Sequence, residues 1–146
     1  MMFKNLLIAT DGSDFAAKAV RSGLELAKSL DARVVILTAT EPFLGLARAD
    51  LNTIDLAIEV YEKATKEKAA RILDKVRDEA VALGVGCETL HVNGFPAEAI
   101  IETAKVKACD LIIMGSHGRR GIARLLLGSQ ATKVVTLSSM PVLVCR

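Results

Sequence analysis

At 146 residues, with 51% hydrophobic and 25% charged residues, the chain suits one domain with one core and is too apolar to be disordered. Its 19 basic and 17 acidic residues leave a net charge of +2, too balanced for a dedicated binder of nucleic acid or of a membrane surface. Cys87, Cys109 and Cys145 are odd in number and lack a short metal-ligand or redox spacing, so they read as small buried residues in a reducing compartment.

In chain order, Leu6, Leu7 and Ile8 form the first strand, which stops at Thr10-Asp11-Gly12. That apolar run is too short for a signal peptide, and no stretch approaches bilayer length, so we expect a cytoplasmic protein. Ser13 or Asp14 can cap the next helix, where Ala17, Val20, Leu24, Ala27 and Leu30 recur at helical spacing. Asp31 and Ala32 turn the chain into a second strand, Arg33–Thr38, whose unbroken apolar run suits burial on both faces of a parallel sheet. Pro42 and Gly45 interrupt any pattern between Glu41 and Asn52, which we expect to be a mobile connection.

A long helix is predicted over about Thr53–Leu83, with Ala69, Ile72, Leu73, Val76 and Ala80 inward and Lys68, Lys75, Asp78 and Glu79 turned outward. Gly84 and Gly86 end it. A strand near Cys87–Val92 follows, then a turn at Asn93-Gly94 and a helix opened by Pro96. Asp110–Met114 is the fourth strand, a glycine-punctuated loop spans Gly115 to Gly128, a helix covers about Ser129–Ser138, and Pro141–Cys145 is the last strand.

This alternation predicts an α/β fold: a single-domain, open, five-stranded parallel sheet with helices on both faces. Such sheets bind ligands at the carboxyl ends of the strands, where strand order reverses. Order 2-1-3-4-5 would put the crevice beside Asn93-Gly94. Order 3-2-1-4-5 would put it between the turn Asp11-Gly12-Ser13 and the glycine-rich loop, and we favour it because both features carry binding chemistry. Gly115-Ser116-His117-Gly118 is followed after nine residues by Gly128-Ser129. Glycines let backbone N–H groups approach a bulky anion, and Ser129 opens a helix whose N-terminus attracts phosphate. The bland alternative is that the glycines only shape a surface loop. No G-x-x-x-x-G-K-[ST] phosphate loop occurs, and Gly84-Val85-Gly86 lacks both the third glycine and the strand context of a dinucleotide fingerprint.

The G-x-x-G, nine residues, G-[ST] pattern resembles the signature of ATP-binding universal stress proteins. Similar segments run through nearly the whole chain: Leu7–Ser13, Gly94–Ala97, Asp110–Met114 and Pro141–Val144. The resemblance implies a nucleotide-binding domain over residues 1–146 that takes ATP, or AMP or ADP, with magnesium. It implies adenine-pocket positions at Ala9, Thr10 and Ala39. Asp11 would stand near the ribose or its metal. Met114, Gly115, His117 and Gly118 would line the ribose and first phosphates, and Gly128, Ser129 and Gln130 would hold the outer phosphates. Thr38 stands where the family often has histidine, and Ala131 replaces a residue that often bears a hydroxyl.

Simpler structural roles are open to several of these residues. Asp11 in Asp-Gly-Ser is equally a turn residue. His117 reads as a positioning group rather than a base, and His91 as a strand residue rather than a metal ligand. Arg119, Arg120 and Arg124 read as a solvated loop face, because no aromatic residues interleave with them. The expected role is a nucleotide-dependent stress-response or signalling module. The alternatives are a slow ATPase or nucleotidyl-transfer enzyme, and a pure interaction module. The apolar last strand, Pro141 to Cys145, is expected to pair with a second copy in a homodimer.

Overall fold

A computed structural model of the chain describes residues 2–43, 51–117 and 126–146. The elements are β1 Asn5–Ala9, α1 Asp14–Leu30, β2 Arg33–Thr40, α2 Leu51–Leu83, β3 Cys87–Asn93, α3 Pro96–Val106, β4 Leu111–Gly115, α4 Ser129–Leu137 and β5 Val142–Cys145. They form one five-stranded sheet in the order β3-β2-β1-β4-β5, with every pair parallel. The crevice therefore lies between β1 and β4, and the alternative order 2-1-3-4-5 is excluded.

The period of two along each strand sorts the core into two layers. Leu6, Ile8, Val34, Ile36 and Ile113 face α1 and α2, packing with Val20, Leu24, Leu73 and Val76. Leu7, Val35, Leu37, Ile112 and Met114 face α3 and α4, packing with Ala97, Ile100, Ala104 and Val134. Burial on both sides explains why these strands read as apolar runs rather than as alternating ones. In α1, a Cβ on Gly23 would lie 2.6 Å from Ile8 Cδ1, so the missing side chain is what lets this helix sit close on β1.

Local signals act where expected. Ser13 is the N-cap of α1, its hydroxyl accepting from the Ala16 N–H at 3.2 Å. Gly84 stops α2 at φ 74°, and the Val85 N–H returns to the Ala80 carbonyl. Some boundaries move by a residue or more. β4 is Leu111–Gly115 rather than 110–114, because the Asp110 carboxylate turns back to accept from the backbone N–H groups of Lys4 and Asn5. Pro141 lies before β5, although its carbonyl still accepts from the Ile112 N–H.

At 33 residues α2 is about 50 Å long, roughly twice β2. Among its described side chains the buried ones begin at Ala69, and the turns before it form a side wall of the cavity at the carboxyl edge of the sheet.

Candidate functional site

Three strand ends build the cleft. After β1 the chain makes a tight turn: Thr10 Oγ1 accepts from the Gly12 N–H and Asp11 Oδ1 accepts from the Ser13 N–H. Gly12 sits at φ 80°, the left-handed region that glycine enters without penalty. The turn role of Asp11 is thus real, and it also places the carboxylate at the cleft.

The pairing of β1 with β2 ends at Ala9 and Leu37, where the Thr10 N–H donates to the Leu37 carbonyl. β2 continues to Thr40. Residues alternate in the direction of their backbone groups along a parallel ladder, so the next groups facing β1 belong to Ala39. A continued ladder would give the Gly12 N–H to Ala39; it goes to the Thr10 hydroxyl instead. Ala39 therefore presents one N–H and one carbonyl to the gap. Leu37, Met114, Ile100 and Pro96 supply apolar surface to the same cavity.

The end of β4 is joined to the start of α4 through the backbone. The Ser116 N–H donates to the Cys145 carbonyl and the Gly128 N–H to the Ser116 carbonyl, each at 2.7 Å. A Cβ on Gly128 would lie 2.9 Å from the Ser116 oxygen, and one on Gly115 would lie 3.2 Å from the Phe15 oxygen. Both glycines thus have a packing reason independent of any ligand. Gly128 is the N-cap of α4 and offers no side-chain acceptor, which leaves the first-turn N–H groups directed at the cleft. His117 Nδ1 lies 3.0 Å from Ser116 Oγ, while its Nε2 is buried without a hydrogen-bond partner among the described residues.

Ala9, Thr10, Asp11 and Ala39 line one cavity of about 580 Å³ together with Met114, Gly115, His117, Gly128, Ser129 and Gln130. Gly118, Arg119, Arg120 and Arg124 lie outside the described residues. Gln130 does more than line the cavity: its Oε1 accepts from the Ala97 N–H at 3.1 Å, capping α3, whose own N-cap Phe95 has no such acceptor. Ala131 is buried against the core and also lines the cavity.

The α2 wall was not legible in the sequence. Tyr61, Thr65, Lys68 and Ile72 line the cavity from this helix. Lys68 is exposed as expected, but its outward direction leads into the cleft. The Tyr61 hydroxyl donates to the Glu41 carbonyl at 2.6 Å, and the Tyr61 ring stacks at a tilt on Phe43, tying the chain after β2 to α2. Thr40 Oγ1, also in the cavity wall, lies 2.7 Å from His91 Nε2. Burial, and secondarily the Lys66 charge, hold the His91 imidazole below its usual range. Among the described residues no cluster of three or more His, Cys, Asp or Glu could hold a metal ion, and no helix is long and apolar enough to cross a membrane.

Comparisons with known proteins agree with this geometry. The model of the universal stress protein family matches residues 2–146. Universal stress protein YxiE of Bacillus subtilis is 37% identical over 99% of this chain and 100% of its own length. A universal stress protein of Thermus aquaticus is 40% identical over 99% of this chain and 100% of its own. Among solved structures, that of hypothetical protein MJ0577, a universal stress protein of Methanocaldococcus jannaschii, superposes with a TM-score of 0.85 at 26% identity, covering 99% of this chain and 96% of that one. A universal stress protein crystallised in complex with cAMP superposes at 0.74 with 28% identity, covering 99% and 97%.

Proposed function

The chain belongs to the universal stress protein family, and from that premise we propose that it binds an adenine nucleotide in the β1/β4 cleft and acts as a nucleotide-dependent stress-response or signalling module. The observation that carries the reading is the pairing of opposite chemistries across one cavity. At one side, the Ala39 N–H and carbonyl match an acceptor and a donor on the edge of a purine, between apolar walls. At the other, the uncapped start of α4 meets phosphate. His117 Nε2, buried and without a described partner, is satisfied by a ligand oxygen. The cAMP complex of a relative supports the nucleotide class.

In this reading Ala9, Thr10 and Ala39 surround the base. Asp11 serves the ribose, or a magnesium ion that accompanies the phosphates, from the turn that its Oδ1 fixes by accepting the Ser13 N–H. Met114, Gly115, His117 and Gly118 follow the ribose and first phosphate, and Gly128, Ser129 and Gln130 take the outer ones. ATP is the ligand of first choice, with ADP and AMP as the alternatives. The three free thiols fit a reducing cytoplasm.

Binding rather than turnover is the main role. Backbone N–H groups and a serine stabilise a bound ground state, and uniform binding of ground and transition states does not accelerate chemistry. The apolar edge strand β5 pairs with its counterpart in a second copy.

The direct test is mass spectrometry of nucleotide extracted from freshly purified protein, followed by calorimetry with AMP, ADP, ATP and cAMP. A micromolar dissociation constant, about 8 kcal/mol, is expected for at least one of them. No binding at millimolar ligand would reject the proposal.

A further inference from the structure

Helix α2 presents two different flanks. Glu62, Lys66, Ala70 and Asp74 border a groove beside β3, together with Thr89 and His91. Tyr61, Thr65, Lys68 and Ile72 border the central cleft, at steps of four, three and four residues that make one stripe on a helix. Asp11 and Ala16 line the same cavity from the β1 turn and the start of α1.

Among the described lining residues, Asp11 and Glu41 carry carboxylates and Lys68 is the sole lysine or arginine. Lys107 and Lys133 are engaged by Glu88 and Glu98, whereas Lys68 forms no ion pair among the described residues. The segment 115–129 contains no lysine. The wall that carries Lys68 is anchored at both ends. Above, Tyr61 is tied to Glu41 and Phe43, and the Thr65 hydroxyl donates back to the Tyr61 carbonyl. Below, Ala69 and Leu73 are buried in the core. A lysine on such a base keeps a flexible four-carbon stem and three donors, which suits a point-charge contact to an anion.

We propose that Lys68 reads the charge of the bound nucleotide: its ammonium meets the phosphates from the α2 side, so that affinity rises with phosphate number. This rests on the nucleotide reading above and assigns the phosphate-number preference to a residue outside the glycine signature. The alternative contact, to the base, predicts the same loss for every ligand and is separated by using adenosine.

The experiment is calorimetry on the full chain with ATP, AMP and adenosine at low and high salt. It compares the wild type with Lys68→Met, Lys68→Arg and Lys75→Met, the last on an exposed position outside both cavities. Lys68→Met is expected to weaken ATP about tenfold, the scale of one charged hydrogen bond, and to flatten its salt dependence. AMP should lose less and adenosine less than about twofold. Lys68→Arg should recover most of the ATP affinity, and Lys75→Met should match the wild type. Unchanged ATP affinity in Lys68→Met, or an equal loss for adenosine, overturns the role of Lys68 while the nucleotide site stands. A wild type that binds none of the three overturns the nucleotide reading and this inference together.

Discussion

Replacing Gly128 with alanine separates packing from binding in the glycine pattern. The backbone there, φ −60° and ψ 160°, is open to any residue, so conformation is no obstacle. The obstacle is space: the new Cβ would stand 2.9 Å from the Ser116 oxygen and 3.4 Å from His117 Cα. Both are backbone atoms, and Ser116 is held by its own 2.7 Å bond to Cys145. The start of α4 must therefore move away from the end of β4. Overpacking costs roughly 1–3 kcal/mol, and stretching the Gly128–Ser116 hydrogen bond costs about 1 kcal/mol. The narrower unfolded ensemble of alanine returns roughly 0.4–1 kcal/mol. The net loss is about 2 kcal/mol, which for a chain of this length lowers the melting temperature by roughly 4–8 °C. Urea denaturation should show a lower midpoint with an unchanged slope, and nucleotide titration a weakened site. Gly86→Ala is the control, because a Cβ there meets no atom within 4 Å; it should be neutral or slightly stabilising. A Gly128→Ala protein as stable as the wild type would refute the steric argument and leave ligand approach as the sole reason for this glycine.

In the proposed homodimer, Leu143→Lys should shift the protein to monomer by light scattering. Leu143 is 40% exposed on the edge strand, whereas Val142 packs into the core and its loss would also cost folding; a wild type that is monomeric at high concentration refutes the pairing. His91 has a lowered folded-state pKa, so its contribution to stability is present above its unfolded value of 6.5 and lost as pH falls through the folded value. Denaturation midpoints of His91→Gln should therefore fall less than those of the wild type below about pH 6.5. The Cys109 thiol is pushed up to about 11 by burial and by the nearby Asp110 and Glu88 charges. Iodoacetamide at pH 8 should leave it unmodified in native protein and alkylate it once unfolded, as read by peptide mass spectrometry. Phosphate release from saturating ATP should stay well under about 1 per second; faster turnover abolished in His117→Ala would mark an enzyme.

The local elements and the rims of the site were legible from residue order alone. Unbroken apolar runs marked strands buried on both faces, Ser13 or Asp14 marked a helix start, and Gly84 and Gly86 marked a helix stop. The residues just past β1 and β4 stood out because turn chemistry and glycine are local signals. Two strand orders remained, since hydrophobic pattern says that a strand is buried and not which strand lies beside it; the hydrogen-bonded register chose β3-β2-β1-β4-β5. Other parts of the site depend on residues distant in sequence. Gln130 caps a helix 33 positions earlier, and Thr40 meets His91 across 51 positions. Lys68 read as an outward lysine, as it is, but where outward leads depends on where α2 lies against the sheet. Periodicity gives the angle of a side chain about its helix axis; only the packing of that helix on its neighbours decides whether the angle points to solvent or to a cleft.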